Sequence, residues 1–330
     1  MSVTHSNISI FVTHLGCPNC CSFCNQRHIA GNYSLPDEIA VDSAVLSAQK
    51  SNKYNPKTTE IAFFGGSFTA IDRDYMITLL EAAHKHIKSG AVYGIRISTR
   101  PDAIDDEVLT ILKNYGVTTI ELGAQSMDDD VLLKNRRGHT AKQVEYASKL
   151  IKSYGFSLGL QMMTGLYGSC DELDIATAEK IIALKPDCVR IYPTITLRDT
   201  HLESLYNNGE YTPQSLQDAI KLCALLTDMF EKSNIPVIRL GLHTIDKDAY
   251  VAGPWHPAFS ELCDSYKFRK MIESKLKSKG EYTVFVNPRS VSKAIGQSRE
   301  NIIYFKNIGY DIKIKENNDL NINECLVKRV

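Results

Sequence analysis

The first two hundred residues alternate six times between short apolar runs rich in β-branched residues and longer stretches of helical period. This alternation predicts βα units and a parallel sheet, either an incomplete (β/α) barrel or an open doubly wound sheet. The predicted strands are residues 8–13, 60–64, 94–98, 118–122, 157–162 and 188–192. The predicted helices between them are residues 39–51, 75–88, 107–115, 141–153 and 174–184.

The composition is that of a globular protein with room for about two domains. Of the 330 residues, 43% are hydrophobic and 23% are charged, and 38 Lys and Arg balance 38 Asp and Glu. No apolar run approaches the roughly 20 residues of a bilayer-spanning helix, and residues 1–10 lack the pattern of a targeting signal. We therefore expect no membrane association and a cytoplasmic location. The predicted domains are residues 1–245 and 246–330.

Special residues follow nearly every predicted strand. The segments are His-Leu-Gly-Cys at 14–17, Gly-Gly-Ser-Phe at 65–68, Thr-Arg-Pro at 99–101, Gly-Ala-Gln-Ser at 123–126 and Thr-Gly-Leu at 164–166. Because ligands bind at the carboxyl ends of parallel strands, these segments predict a single site along one edge of the sheet.

Four of the nine cysteines fall within eight residues, and three of them, Cys17, Cys21 and Cys24, have Cx3Cx2C spacing. A structural zinc site requires four closed ligands, whereas an iron–sulfur cluster held by three thiolates leaves one iron open to a small molecule. A zinc knuckle that uses Cys20 as its fourth ligand is the alternative, although the side chains of adjacent residues point apart. The spacing favours an iron–sulfur cluster with an open iron.

The cysteine motif, with the aromatic Phe23 just before its last cysteine, resembles that of the radical S-adenosylmethionine (SAM) superfamily. Further segments are similar to the branch that contains the Elongator catalytic subunit and its short bacterial relatives. They are HLGCP at 14–18, CNQR at 24–27, FFGGSFT at 63–69, ISTRPD at 97–102, ELGAQSMD at 121–128, RRGH at 136–139 and QMMTGL at 161–166. The resemblance covers residues 8–200 and favours the partial (β/α)6 barrel of TIM type.

The resemblance implies two cofactors. A [4Fe–4S] cluster is expected on Cys17, Cys21 and Cys24, with SAM bound to the open iron through its amino and carboxylate groups. One electron from the cluster, supplied by a flavodoxin or ferredoxin, would then break the sulfonium bond and give a 5′-deoxyadenosyl radical.

The resemblance also implies which side chains contact SAM. Gly65, Gly66 and Ser67 match the glycine-rich turn beside the methionine amino group, where Ser67 replaces the usual acidic residue. The other predicted contacts are Phe23, Ser98, Arg100, Gln125, Arg137, Gln161 and, near the adenine, Tyr192, for which core packing is an equal alternative. The residues His14, Asn25, Gln26 and Tyr167 lie near the predicted site without an assigned role.

The end of the sequence is basic although the whole chain is neutral. Residues 265–315 contain twelve Lys and Arg against four acids, a surplus of +8. Predicted elements at 282–287, 291–295, 300–307 and 310–315 surround a turn at 296–299, and their order resembles part of a KH module, in which a GXXG turn meets nucleotide phosphates. Arg299 stands where that motif has its last glycine. We predict a small α+β extension that contacts RNA through Lys293, Gln297 and Arg299.

These observations predict a radical SAM enzyme that modifies RNA, with tRNA as the expected substrate. Larger members of the Elongator branch carry an acetyltransferase domain, for which the fifteen residues after Lys315 are too few, so acetyl-coenzyme A chemistry is not expected. Two alternatives remain open. One is a radical SAM enzyme acting on a small molecule, and the other is a non-catalytic iron–sulfur protein that binds RNA or senses redox state.

Overall fold

The computed structural model describes residues 5–12, 17, 21–25, 35–242, 245 and 247–330. Seven parallel strands form one open sheet in the order β1-β2-β3-β4-β5-β6-β8. They are β1 (Ser6–Val12), β2 (Thr59–Gly65), β3 (Gly94–Thr99), β4 (Val117–Gln125), β5 (Ser157–Thr164), β6 (Cys188–Pro193) and β8 (Val237–Leu240). The predicted α/β class and partial barrel are confirmed, and β8 adds a seventh strand. Two short strands, β7 (Thr196–Leu197) and β9 (Tyr250–Ala252), pair separately.

Helices connect these strands. They are α1 (Glu38–Gln49), α2 (Arg73–Lys88), α3 (Asp106–Asn114), α4 (Asp129–Lys134), α5 (Ala141–Ser153), α6 (Asp171–Ala183), α7 (His201–Asn207) and α8 (Leu216–Lys232). The five that the apolar periodicity predicted between the strands are present as α1, α2, α3, α5 and α6. Side-chain caps set several of the starts, as where Asp105 accepts a hydrogen bond from the Val108 amide and Thr140 forms a capping box with Gln143. No helix in the described ranges has the length and apolar character needed to cross a membrane.

The two faces of the sheet differ in chemistry because side chains alternate along each strand. Residues such as Ile97, Leu122 and Ile191 are fully buried against the helices and form the main core. The opposite face carries polar residues, and the strand register brings Gly123 beside Gln161 and Gln161 beside Arg190. The interior of the partial barrel is therefore polar along its central strands.

The C-terminal region forms a small α+β module, as predicted. Its three-stranded sheet has the order β11-β10-β12 and its helices pack on one face. The elements are α9 (Phe259–Glu273), β10 (Gly280–Val286), α10 (Val291–Ile295), α11 (Glu300–Asn307), β11 (Tyr310–Glu316) and β12 (Cys325–Arg329). A second apolar core, with Phe268, Val284 and Phe305 at its centre, lies between sheet and helices. The sequence analysis did not foresee α9 and β12.

Candidate active site

The cysteine segment is fixed to two distant parts of the chain by the residue between Cys21 and Phe23. Ser22 is completely buried, and its Oγ donates to Asn135 Oδ1 at 2.6 Å. The Ser22 amide donates to the Asn135 carbonyl, and the Ser22 carbonyl accepts from the Leu202 amide at 2.7 Å. These bonds hold the loop of Cys21 and Cys24 at the carboxyl edge of the sheet.

We expect Ser22→Ala to loosen this attachment, because it leaves the buried Asn135 Oδ1 without its donor. The cost is about 1–3 kcal/mol in the free energy of unfolding, measured by urea denaturation, and iron retained after anaerobic reconstitution should fall. Ser148→Ala is the matched control, since Ser148 is buried and its Oγ has no hydrogen-bond partner among the described residues. Equal stability and iron content in the two variants would contradict this role for Ser22.

Gln125 and Arg137 meet next to the cysteine loop. Arg137 donates from Nη1 to Cys21 Sγ at 3.0 Å and from Nη2 to the Gly123 carbonyl at 2.7 Å. Both side chains are more than nine-tenths buried, yet within the described ranges Gln125 Oε1 and Arg137 Nε have no hydrogen-bond partner. Such buried unpaired polar atoms are rare in folded proteins and indicate a place for a polar ligand.

A distortion of β4 brings these two side chains together. The pairing of β4 with β5 shifts register between Gly123 and Gln125, and Gln125 has a left-handed φ of 65°. A β-bulge of this kind turns a side chain away from its regular direction. A Cβ on Gly123 would lie 3.0 Å from Gln125 Nε2 and 3.4 Å from Arg137 Nη2, so glycine leaves the space that the two side chains use. The role of Gly123 was not predicted.

Phe23 and Tyr192 pack against one small apolar cluster of Val131, Met163 and Leu166. The Arg137 guanidinium lies 5.9 Å from the centroid of the Phe23 ring. Burial raises the pKa of Tyr192 although the neighbouring Arg190 opposes this shift, so the phenol is neutral at pH 7. The predicted residues from the cysteine loop and from β6 therefore share one apolar wall.

Ser67 and Arg100 form a second group at the ends of β2 and β3. Ser67 is fully buried, and its Oγ accepts from the Arg100 amide at 3.1 Å and is hydrogen-bonded to Thr99 Oγ1 at 2.9 Å. The Arg100 side chain is paired with Asp102, which raises the pKa of the guanidinium. The serine hydroxyl thus joins β2 to β3, while Gly65 is exposed and Gly66 is half-buried.

Ser98 and Gln161 are half-buried and lie next to a buried ion network that was not predicted. Gln161 Nε2 donates to Glu121 Oε2 at 3.0 Å and lies 3.5 Å from Ser98 Oγ. Glu121 also accepts from Arg96 Nη1 at 2.7 Å and from Arg190 Nε at 2.6 Å. Burial alone would raise the pKa of Glu121, but Arg190 and Arg96 outweigh it and keep the pKa below its usual value.

The loop that follows β5 is held by a buried carboxyl group. Asp174 accepts from the Gly165 amide at 2.8 Å and from Ser169 Oγ at 2.6 Å. In the same loop, the backbone carbonyl of Tyr167 accepts a hydrogen bond from Asn135 Nδ2 at 2.9 Å. Burial raises the pKa of Asp174 to about 6. This loop and the cysteine loop therefore share Asn135 as an anchor.

The raised pKa of Asp174 predicts a pH effect on stability. A carboxyl group that binds its proton more tightly in the folded state lowers the free energy of unfolding as pH rises from about 4 to about 6. Between pH 4.5 and pH 7 the wild type should lose about 2 kcal/mol relative to Asp174→Asn, measured by urea denaturation at each pH. Parallel pH profiles of the two proteins would contradict the raised pKa.

The three predicted RNA contacts lie in the C-terminal module. Gln297 and Arg299 are exposed in the turn between α10 and α11, whereas Lys293 Nζ is paired with Asp264 Oδ2 at 2.6 Å. Other cations of the basic end are also neutralised, for example Lys267 by Asp228 and Glu231 of α8. Acids outside residues 265–315 therefore compensate part of the +8 surplus.

Some predictions fall on residues whose structure is not described. His14, Cys20 and Gln26 lie outside the described residues, so the zinc-knuckle alternative and the surroundings of Cys20 stay predictions. Cys17 is exposed, and Cys21 and Cys24 are half-buried. In the described part of the chain no three His, Cys, Asp or Glu side chains form a group ready to hold a metal ion.

Comparisons with known proteins identify the family of this chain. A model described as the radical SAM superfamily matches residues 11–181, and one described as the radical SAM C-terminal domain matches residues 186–270. The chain is 26% identical over 239 residues to a tRNA uridine(34) acetyltransferase of Dehalococcoides mccartyi, covering 62% of this chain and 52% of that protein. It is 34% identical over 185 residues to human Elongator complex protein 3, covering 50% of this chain and 34% of that protein. The chain thus spans about half, or about a third, of these relatives.

The fold also resembles a solved structure. An archaeal Elp3 of Methanocaldococcus infernus with an N-terminal deletion superposes with a TM-score of 0.65 at 21% sequence identity. The superposition covers 82% of this chain and 64% of that one. The likeness therefore extends over most of the chain at the level of the fold.

Proposed function

The chain belongs to the radical SAM superfamily, and from this premise we propose that it cleaves SAM reductively and uses the radical to modify tRNA. The cofactors of this family are a [4Fe–4S] cluster and SAM. The observation that carries the proposal is the pair of buried, unpaired polar atoms, Gln125 Oε1 and Arg137 Nε, beside Cys21. We propose that these two atoms form hydrogen bonds to SAM at the edge of the sheet where the cysteine loop lies.

Cys17, Cys21 and Cys24 are proposed to hold the cluster. When bound and reduced, the cluster would supply the one electron that divides SAM into methionine and a 5′-deoxyadenosyl radical. Arg137 stabilises thiolate charge at Cys21 because its guanidinium already donates to that sulfur at 3.0 Å. The hydrogen bonds between Ser22 and Asn135 keep the cysteine loop in place.

The SAM molecule is proposed to lie between the cysteine loop and the ends of the central strands. Arg137 offers a forked cation to the methionine carboxylate, and Gln125 offers its carboxamide. Gly65 and Gly66 let the backbone approach the methionine amino group. Ser98, Arg100 and Gln161 are proposed on the ribose and methionine side, and Phe23 and Tyr192 supply the apolar wall for the adenine. Because the Ser67 hydroxyl is engaged with Thr99 and Arg100, we assign Ser67 to shaping the turn.

The proposal of tRNA as substrate is supported by the names of the relatives and by the basic C-terminal region. One relative is named for uridine 34 of tRNA. Arg299 and Gln297 are exposed and available for phosphates, and Lys293 would contribute once a phosphate competes with Asp264. The proposal concerns the radical chemistry alone, because the chain spans only part of the relatives that carry these names.

The test is anaerobic. The reconstituted protein is reduced with dithionite, or by flavodoxin or ferredoxin as proposed donors, and mixed with SAM in the presence and absence of bulk tRNA. Formation of 5′-deoxyadenosine, quantified by mass spectrometry, is expected to increase with tRNA. Equal formation without tRNA would favour a small-molecule substrate. An intact cluster that yields no 5′-deoxyadenosine under any condition would overturn the catalytic proposal.

A further inference from the structure

The three-stranded sheet of the C-terminal module has one covered face and one open face. Residues Tyr282, Val284 and Val286 of β10 point into the apolar core against the helices. Their neighbours along the strand point the other way, as alternation requires. The open face includes Leu326, which is 41% exposed, and the half-buried Phe285. A sheet face with an aromatic ring and an exposed leucine is therefore open to solvent.

Lysines surround the aromatic ring on this face. The strand register pairs Phe285 with Lys315 on one side and Leu326 on the other. In the next rung, Thr283 lies between Lys313 and Lys328. Lys328 Nζ lies 5.5 Å from the centroid of the Phe285 ring. Three lysines thus share the open face with Phe285, and Lys328 lies over its ring.

The acids on the same face are confined to its other end. Glu281 pairs with Asp311 near the start of β10 and β11. Glu281 reaches Lys313 only at 3.9 Å, and both side chains are more than half exposed, so this ion pair contributes little. The charges on this face are therefore unevenly distributed. One end is basic and carries the aromatic ring, and the other end is acidic and would repel a polyanion.

We propose that the open face of β10, β11 and β12 binds single-stranded RNA, with a base stacked on Phe285 and phosphates at Lys313, Lys315 and Lys328. An aromatic ring on a sheet accepts any base by stacking, and flanking lysines follow the backbone. Lys328 can exchange its solvent-exposed contact with the ring for a phosphate as the base arrives. This inference rests on the proposed function only in taking RNA as the class of substrate. The surface is separate from the turn at residues 296–299.

The test measures binding of the full chain to a fluorescein-labelled single-stranded RNA of twelve mixed nucleotides by fluorescence anisotropy. Phe285→Ala should weaken binding by roughly 5- to 150-fold, the range for loss of one stacked base. Phe285→Tyr should retain the affinity. Replacement of the three lysines by glutamine should lower the slope of log affinity against log salt by about 2, at roughly 0.7 per phosphate contact.

A matched control carries the same kinds of substitution on α5. Tyr146→Ala with Lys142→Gln and Lys149→Gln changes exposed residues of the barrel and should leave both affinity and salt slope unchanged. An abasic strand of equal length should bind wild type and Phe285→Ala equally. Three results would overturn the proposal. Phe285→Ala could weaken binding of the abasic strand as much as that of the RNA, or the α5 control could lower RNA affinity as much as the Phe285 and lysine variants do. Polyglutamate could also bind as tightly as RNA and depend equally on Phe285.

The same variants separate this inference from the proposed function. The Phe285 and lysine variants should form 5′-deoxyadenosine from SAM alone at the wild-type rate. If the wild type forms 5′-deoxyadenosine but does not bind the RNA strand, the binding surface is wrong and the radical chemistry stands. If the RNA strand binds through Phe285 but no 5′-deoxyadenosine forms, the binding surface stands and the proposed radical chemistry is wrong.

Discussion

Replacing Cys21 by alanine is expected to reduce reconstituted iron from about four atoms per chain to a residual amount and to abolish formation of 5′-deoxyadenosine. A cluster held by three thiolates cannot lose one without exposing a second iron. The loss should be visible as absence of the broad iron–sulfur absorbance and as 5′-deoxyadenosine at the level of a protein-free control. Cys17→Ala and Cys24→Ala should behave in the same way.

The matched control is Cys170→Ala, because Cys170 is an exposed cysteine on the loop after β5 and is not part of the Cx3Cx2C motif. This variant should keep its iron and its activity. The Cys21 variant should retain affinity for RNA, since no proposed RNA contact lies in the cysteine loop. Full iron content in Cys21→Ala, or an equal loss in Cys170→Ala, would show that the ligands have been assigned wrongly.

The second large effect is expected at Glu121, the acid at the centre of the polar barrel interior. Glu121 is 1% exposed and is hydrogen-bonded to Arg96, Arg190 and Gln161. Glu121→Gln leaves the buried Arg190 guanidinium without its carboxylate partner and removes one of the two acids that pair with Arg96, the other being Glu60. It also places an amide donor against both guanidinium groups. We expect a loss of about 3–5 kcal/mol in the free energy of unfolding, measured by urea denaturation.

Two comparisons test the physical cause. Asp218→Asn removes the acid of an exposed ion pair with Lys221 and should change stability little. Adding Arg190→Met to Glu121→Gln should restore part of the lost stability, because it removes one uncompensated charge, and the double-mutant cycle measures this coupling. If Glu121→Gln destabilises no more than Asp218→Asn, the network does not support the barrel as argued.

Local sequence patterns were sufficient for the six strands of the βα units and for the kind of site. The apolar periodicities predicted all six strands of the βα units, since burial of one helical face or of a whole strand is written into neighbouring residues. The predicted end of β4 is residue 122, because Gly123 and Ala124 lack the β-branched signal of a strand. In the structure β4 continues to Gln125. The spacing of Cys17, Cys21 and Cys24 likewise indicates an iron–sulfur cluster without reference to the fold.

Only the tertiary structure decided which side chains meet. Ser22 and Asn135 are 113 positions apart, and the acids that neutralise Lys267 and Lys293 lie outside the basic segment, so no local pattern could pair them. The β-bulge that directs Gln125 toward Arg137 depends on pairing with β5. The lysines around Phe285 come from two other strands of the sheet. Sequence periodicity specifies which face of an element is buried, whereas the partners across a sheet follow from chain topology and register, which act between distant residues.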